Sequence, residues 1–155
     1  MRVAIGSDHA GYRYKQILAD RLRDGGHDVV DLGTDGPQSV DYPDYARAVA
    51  EAVARDEVER GILVCGSAVG VSIVANKVPG IRAGVCHDTY SARQAVEHDD
   101  MNVLCLGERV IGVEVAREVT DTFMAADYSD EERHRRRLDK LLAVESEYMN
   151  SGTES

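Results

Sequence analysis

Apolar positions along the chain follow two alternating rhythms. Short compact runs at Arg2 to Gly6, His27 to Leu32, Gly61 to Cys65, Ile81 to Cys86 and Asn102 to Leu106 read as strands. Between them, apolar residues three and four apart predict helices. Leu18 and Leu22 mark the first, and the stripe Tyr45, Ala46, Val49, Ala50 and Val53 marks the second, which starts at Asp41, Tyr42 and Pro43 and runs through Ala54. Val71, Val74 and Ala75 mark a third, and a fourth covers Thr89 to His98 with Tyr90, Ala92, Ala95 and Val96 on its buried side. Gly112 to Ala126 and Glu131 to Met149 complete the set. Gly25 and Gly26 end the first helix, and Gly33 to Val40 is a polar loop. Strands alternating with helices predict an α/β protein, a three-layer α/β/α Rossmann-like fold with a five-stranded parallel sheet covered on both faces. One domain is expected over residues 1–149, and the polar stretch Asn150 to Ser155 is expected to fray.

In such a sheet, the loops leaving the carboxyl ends of the strands face a crevice, and helix N-termini point into it. The stretch GILVCGSAVGVSIVANK, Gly61 to Lys77, supplies one of these loops: a strand ending at Cys65, a glycine-rich turn from Gly66 to Gly70, then a helix. Backbone N–H groups and the helix dipole make a place for negative charge. The thiol at the start of the loop stands where that dipole favours thiolate, so the loop can hold both a base and an oxyanion hole. A half-buried cysteine at a strand end is also a common small hydrophobe, and Cys86 and Cys105, each inside an apolar run, read that way. Position alone leaves Cys65 between the two.

The first strand opens into Ser7, Asp8, His9, Ala10 and Gly11. Asp8 there is either a carboxylate facing the crevice or simply the N-cap of the first helix. His9 has no comparable structural reason. Tyr42 either packs as a staple beneath its helix, the preferred reading, or offers its hydroxyl to a ligand. His98 closes the fourth helix, where it either complements the dipole or does acid/base work near neutral pH.

Composition narrows the function classes. With 155 residues, 43% hydrophobic and 30% charged, the chain fits one soluble globular core. A net charge of −10 disfavours nucleic acid as a partner. Within that acidic chain, Arg133, His134, Arg135, Arg136 and Arg137 form a basic island, either for a small anion or as a solvated helix face paired with Asp130, Glu131, Glu132 and Asp139. The start MRVAIGSDHAG lacks the pattern of a signal peptide and no apolar run approaches bilayer length, so a cytoplasmic protein with no membrane partner is expected. Three cysteines without paired spacing argue for free thiols and against a zinc knuckle. CGSAVG is neither a P-loop nor a dinucleotide fingerprint.

GSDHAG, VDYPDYA, VCGSAVGVSIVANKVPGIRA, HDTYSARQAVEHDDMNVLCLGERVIG and RHRRR follow one another from Met1 to about Leu142. Together they resemble the ribose-5-phosphate isomerase B family. The resemblance implies an aldose–ketose isomerase without metal or cofactor that interconverts ribose 5-phosphate and ribulose 5-phosphate through ring opening and a cis-enediolate. It implies Cys65 as the base between C1 and C2, Ser67 as the hydroxyl assisting transfer between the oxygens, and the backbone of Gly66, Ser67, Ala68, Val69 and Gly70 as the enediolate hole. It implies His98, with Asp8 nearby, for ring opening, Tyr42 as a pocket wall, and His9, Arg109, Arg133 and Arg137, with His134 between the last two, for the phosphate. It further implies a homodimer, often paired into a tetramer, whose arginine-bearing helix reaches a neighbouring subunit's pocket. In one respect the chain departs from the family, which carries Asn directly after this His where Asp99 stands here. An amide donates to a sugar hydroxyl or oxyanion; an ionised carboxylate only accepts.

The residue types suit the chemistry. Taking a proton from carbon beside a carbonyl builds charge on oxygen, which fixed N–H donors stabilise. Opening a furanose needs a second acid/base group, and a phosphate calls for guanidinium forks such as Arg133 and Arg137, four residues apart on one helix. Allose 6-phosphate, galactose 6-phosphate, a tetrose phosphate or a free rare sugar would use the same machinery, and a sugar-phosphate binding module without catalysis would use the same loop.

Overall fold

The computed structural model describes residues 1–149, so the stretch expected to fray lies outside the described residues. The chain runs β1 (Arg2–Ser7), a 3₁₀ turn (His9–Gly11), α1 (Tyr12–Asp24), β2 (Asp28–Asp31), α2 (Tyr42–Ala54), β3 (Arg60–Cys65), α3 (Val69–Ala75), β4 (Ala83–Val85), α4 (Thr89–Asp99), β5 (Val103–Gly107), α5 (Val113–Ala125) and α6 (Glu132–Met149). The five strands pair in the order β2-β1-β3-β5-β4, every pair parallel. The chain therefore passes over β5's place to lay β4 at the edge and then returns to fill the gap.

Continuous apolar strands are required because helices cover both faces. Val3, Ile5, Ile62, Val64, Leu104 and Leu106 point into a core closed by α1, α4 and α5. The alternate residues Ala4, Leu63, Val103 and Cys105 point into a second core closed by α2 and α3. α6 lies outside these layers, against α4, and His134 is its one fully buried residue among those described.

Local expectations shift in three places. β4 is shorter than Ile81 to Cys86, since an edge strand has only β5 to pair with, although Ile81 and Cys86 stay buried. Tyr90, expected on the buried side of α4, is 61% exposed; Ala92 and Val96 alone are fully buried there. α3 begins inside the glycine-rich turn, at Val69, with Ala68 before it in the left-handed conformation at φ 73°. The neighbours β1 and β3 bring their carboxyl-end loops side by side.

Candidate active site

Those two loops, the start of α2 and the turn after β5 enclose a cleft of about 370 Å³. Asp8, His9, Ala10, Tyr42, Cys65, Gly66, Ser67, Gly70, Arg109 and Val110 line it.

Cys65 is the last residue of β3, only 5% exposed, packed into the α2/α3 core on one side and open to the cleft on the other. The side chain is thus part of a core and also within reach of a ligand in the cleft. The Ala68 N–H donates to Cys65 Sγ at 3.1 Å, and the Val69 N–H donates to Ser67 Oγ at 3.3 Å, so the turn's own amides hold these two side chains. The other two cysteines do not line the cleft. Burial pushes the Cys86 thiol up to about 11 and raises that of Cys105 as well, leaving both protonated in the core.

Asp8 caps the first helical turn, its Oδ1 accepting from the Ala10 and Gly11 N–H groups at 3.0 and 3.1 Å, and it also lines the cleft. His9 does have a structural reason, contrary to expectation: its Nδ1 accepts the Val40 N–H at 3.2 Å. With Nδ1 occupied as an acceptor, the neutral ring carries its proton on Nε2. Tyr42 is 41% exposed and stands on the cleft wall rather than beneath its helix. Its packing is on Gly70, where a Cβ would meet the ring at 2.8 Å, so a side chain at that position would displace the tyrosine. The exposed Arg109 lies along Gly66 and anchors there by donating its backbone N–H to Gly66 O at 3.1 Å.

His98, Arg133, His134 and Arg137 lie on α4 and α6, outside the lining of this cleft. His98 stacks on His134 with ring centroids 4.1 Å apart and planes 26° from parallel. Gln94 Nε2 lies 3.3 Å from His98 Nδ1, and Ser129 Oγ pairs with His134 Nδ1. Burial, then the neighbouring His98 and Arg133, hold His134 below the usual imidazole range. Arg133 pairs with Glu131 at 3.1 Å and Arg135 with Asp130 at 3.5 Å, in keeping with a solvated acidic and basic face, whereas the exposed Arg137 makes no ion pair among the described residues. Asp99 is exposed and borders a different groove of about 450 Å³, alongside Arg82, Leu141 and Glu145. One chain thus does not bring Asp8 and His98 into one pocket.

Two partners escaped the sequence reading. His87 Nε2 accepts the Gly107 N–H at 2.9 Å, and the signal available was its position just past the fourth strand. Lys15, 1% exposed, binds both carboxylate oxygens of Asp31 at 2.7 and 2.8 Å, while Asp31 accepts the Gly33 N–H and so holds the loop after β2. Among the described residues, no group of three or more His, Cys, Asp or Glu is placed to hold a metal, and no helix is long and apolar enough to cross a membrane.

The model of the ribose/galactose isomerase family matches residues 3–141. The chain is 44% identical over 144 residues to ribose-5-phosphate isomerase B of Escherichia coli, a match covering 93% of this chain and 96% of that protein. It is 38% identical over 148 residues to D-erythrulose-4-phosphate isomerase 2 of Mycolicibacterium smegmatis, covering 94% and 97% respectively. The structure of ribose-5-phosphate isomerase B from Clostridium thermocellum superposes with a TM-score of 0.93 at 49% identity, covering 96% of this chain and 99% of that one.

Proposed function

The chain belongs to the ribose/galactose isomerase family, as an aldose–ketose isomerase of sugar phosphates, and from that premise we propose that it interconverts ribose 5-phosphate and ribulose 5-phosphate in sites shared between two copies of the chain. One observation carries the reading. A single cleft gathers a thiol, a hydroxyl, a carboxylate, an imidazole and a guanidinium around a backbone turn, and the remaining acid/base and cationic residues sit on a separate face of the same chain.

In this mechanism Cys65 takes the proton from C2 of the open-chain aldose and returns it to C1, on one face of the cis-enediolate. The Ser67 hydroxyl passes a proton between O1 and O2. Backbone N–H groups of the 66–70 turn meet the charge growing on oxygen, a contribution of several kcal/mol in a closed site. His98 of a second copy opens the furanose, working against Asp8, while Tyr42 walls the pocket. His9 and Arg109 hold the phosphate from one side, and Arg133 and Arg137 of the second copy complete its charge balance, with His134 between them.

Exposed apolar residues beside the cleft support a second copy there. Val69 and Ile73, one helical turn apart on α3, are 52% and 56% exposed, and Val110 on the cleft wall is 55% exposed. Such a patch next to a polar site marks an interaction surface. The test uses two variants, Cys65→Ala and His98→Ala, each inactive alone. After subunit exchange, half the dimers are mixed and each mixed dimer has one intact site, so about a quarter of the parent's ribose 5-phosphate isomerase activity returns. No recovery after verified exchange rejects the shared site, and a parent without ribose 5-phosphate turnover rejects the substrate.

A tetrose phosphate is the second reading. Asp99 replaces a donor amide with an acceptor, and the M. smegmatis relative is named an erythrulose-phosphate isomerase. Comparing kcat/KM on ribose 5-phosphate and on D-erythrulose 4-phosphate ranks the two.

A further inference from the structure

Resting on that isomerase reading, we propose that His87 is a positioning residue for the catalytic turn, its imidazole holding the end of β5 in the place that fixes Cys65 and Gly66. Edge strand β4 stops at Val85, in register with Cys105. Two residues on, the register partner of Gly107 is His87. The backbone ladder has ended there, and the side chain takes over the next rung: Nε2 accepts the Gly107 N–H at 2.9 Å.

The two amides that follow point the other way, into the catalytic turn. The Glu108 N–H donates to Cys65 O at 2.9 Å and the Arg109 N–H to Gly66 O at 3.1 Å. Three successive amides thus tie His87 on one side to the base and its loop on the other. The contact is also steric. A Cβ at Gly107 would stand 2.9 Å from Ser67 C and 3.0 Å from Gly66 O, so the backbones approach too closely for a side chain there and a shift of Gly107 toward the turn displaces it. Only the neutral ring with its proton on Nδ1 can accept at Nε2. Burial lowers the pKa of His87 and so favours that neutral form. His87 does not line the cleft, hence its effect passes through the turn rather than through contact with substrate.

The test compares three variants of the full-length chain. His87→Gln keeps an acceptor oxygen close to the place of Nε2, His87→Leu removes it, and His87→Asn keeps polarity but reaches only as far as Nδ1. A misplaced base costs up to about a hundredfold. His87→Leu and His87→Asn should therefore lose about tenfold or more in kcat on ribose 5-phosphate, with KM changed less than about threefold, while His87→Gln stays within about threefold of the parent in both. Amide exchange at Gly107, read by NMR, should be slow in the parent and in His87→Gln and fast in the other two, whichever sugar is the substrate. Should His87→Leu fold poorly, His87→Asn against His87→Gln carries the comparison. Equal kcat across all variants, or Gly107 exchange unchanged in His87→Asn, overturns the proposal and leaves the isomerase reading standing. A parent inactive on every aldose phosphate sinks that reading first and this one with it.

Discussion

Replacing Cys65 by Ala separates a base from a core atom. The sulfur is one methylene-sized atom, 5% exposed, and deleting it costs about 1 kcal/mol of packing. The Ala68 N–H that points at it is buried and loses its sulfur acceptor, which adds to that cost. For a domain of this length each kcal/mol lost lowers Tm by about 2–4 °C. The catalytic loss is of another size. A positioned general base contributes about 10²–10⁴ in rate, equivalent to about 3–6 kcal/mol of barrier at about 1.4 kcal/mol per tenfold. Phosphate binding should survive, because His9 and Arg109 are untouched. Three measurements on one preparation decide it: ketose formation from ribose 5-phosphate, incorporation of solvent deuterium into the sugar, and calorimetric binding. The variant should bind within about threefold of the parent while losing turnover and deuterium exchange together. Retained exchange with normal turnover would refute the assignment of the base. Loss of binding equal to the loss of rate would make Cys65 a binding group instead.

Further outcomes follow from the same geometry. Iodoacetamide should label Cys65 first, and bound sugar phosphate should slow it; at about pH 8 a thiol with pKa about 11 is ionised in roughly one molecule per thousand, so Cys86 should lag far behind, and mass mapping checks the order. Arg137→Gln should raise KM for the phosphorylated sugar about tenfold or more with Tm unchanged, since the guanidinium is exposed and makes no ion pair among the described residues; an unchanged KM would remove it from the phosphate set. His134, held below the usual imidazole value by burial, binds fewer protons folded than unfolded. Its contribution to stability is therefore full above about pH 6.5 and is lost as pH falls through the folded-state value, and His134→Gln should flatten that acid limb of Tm against pH.

The alternation of apolar runs was enough to read the βα units because each strand is buried on both faces, which writes an uninterrupted apolar run into the local sequence. The capping role of Asp8 was equally local, two and three residues from the amides it serves. Lys15 shows where such patterns stop. It occupies a core-facing position of α1 with Tyr14, Leu18 and Leu22, and Asp31 at the end of β2, with the Tyr12 ring centroid 5.5 Å from the ammonium, makes a buried cation tolerable there. His9 and His87 likewise find partners at Val40 and Gly107, far along the chain, which no spacing rule announces.

By itself, then, the sequence determined the element order, the α/β class and the family, and it located the thiol-bearing turn at a strand's carboxyl end. Periodicity, glycine punctuation and motif order are properties of neighbouring residues. Only the tertiary structure decided that β5 lies between β3 and β4, that Tyr90 faces solvent, and that the chosen residues fall into one cleft and one separate α4/α6 cluster. Those outcomes depend on which distant surfaces bury one another, and burial is shared across the whole chain rather than carried by any one segment.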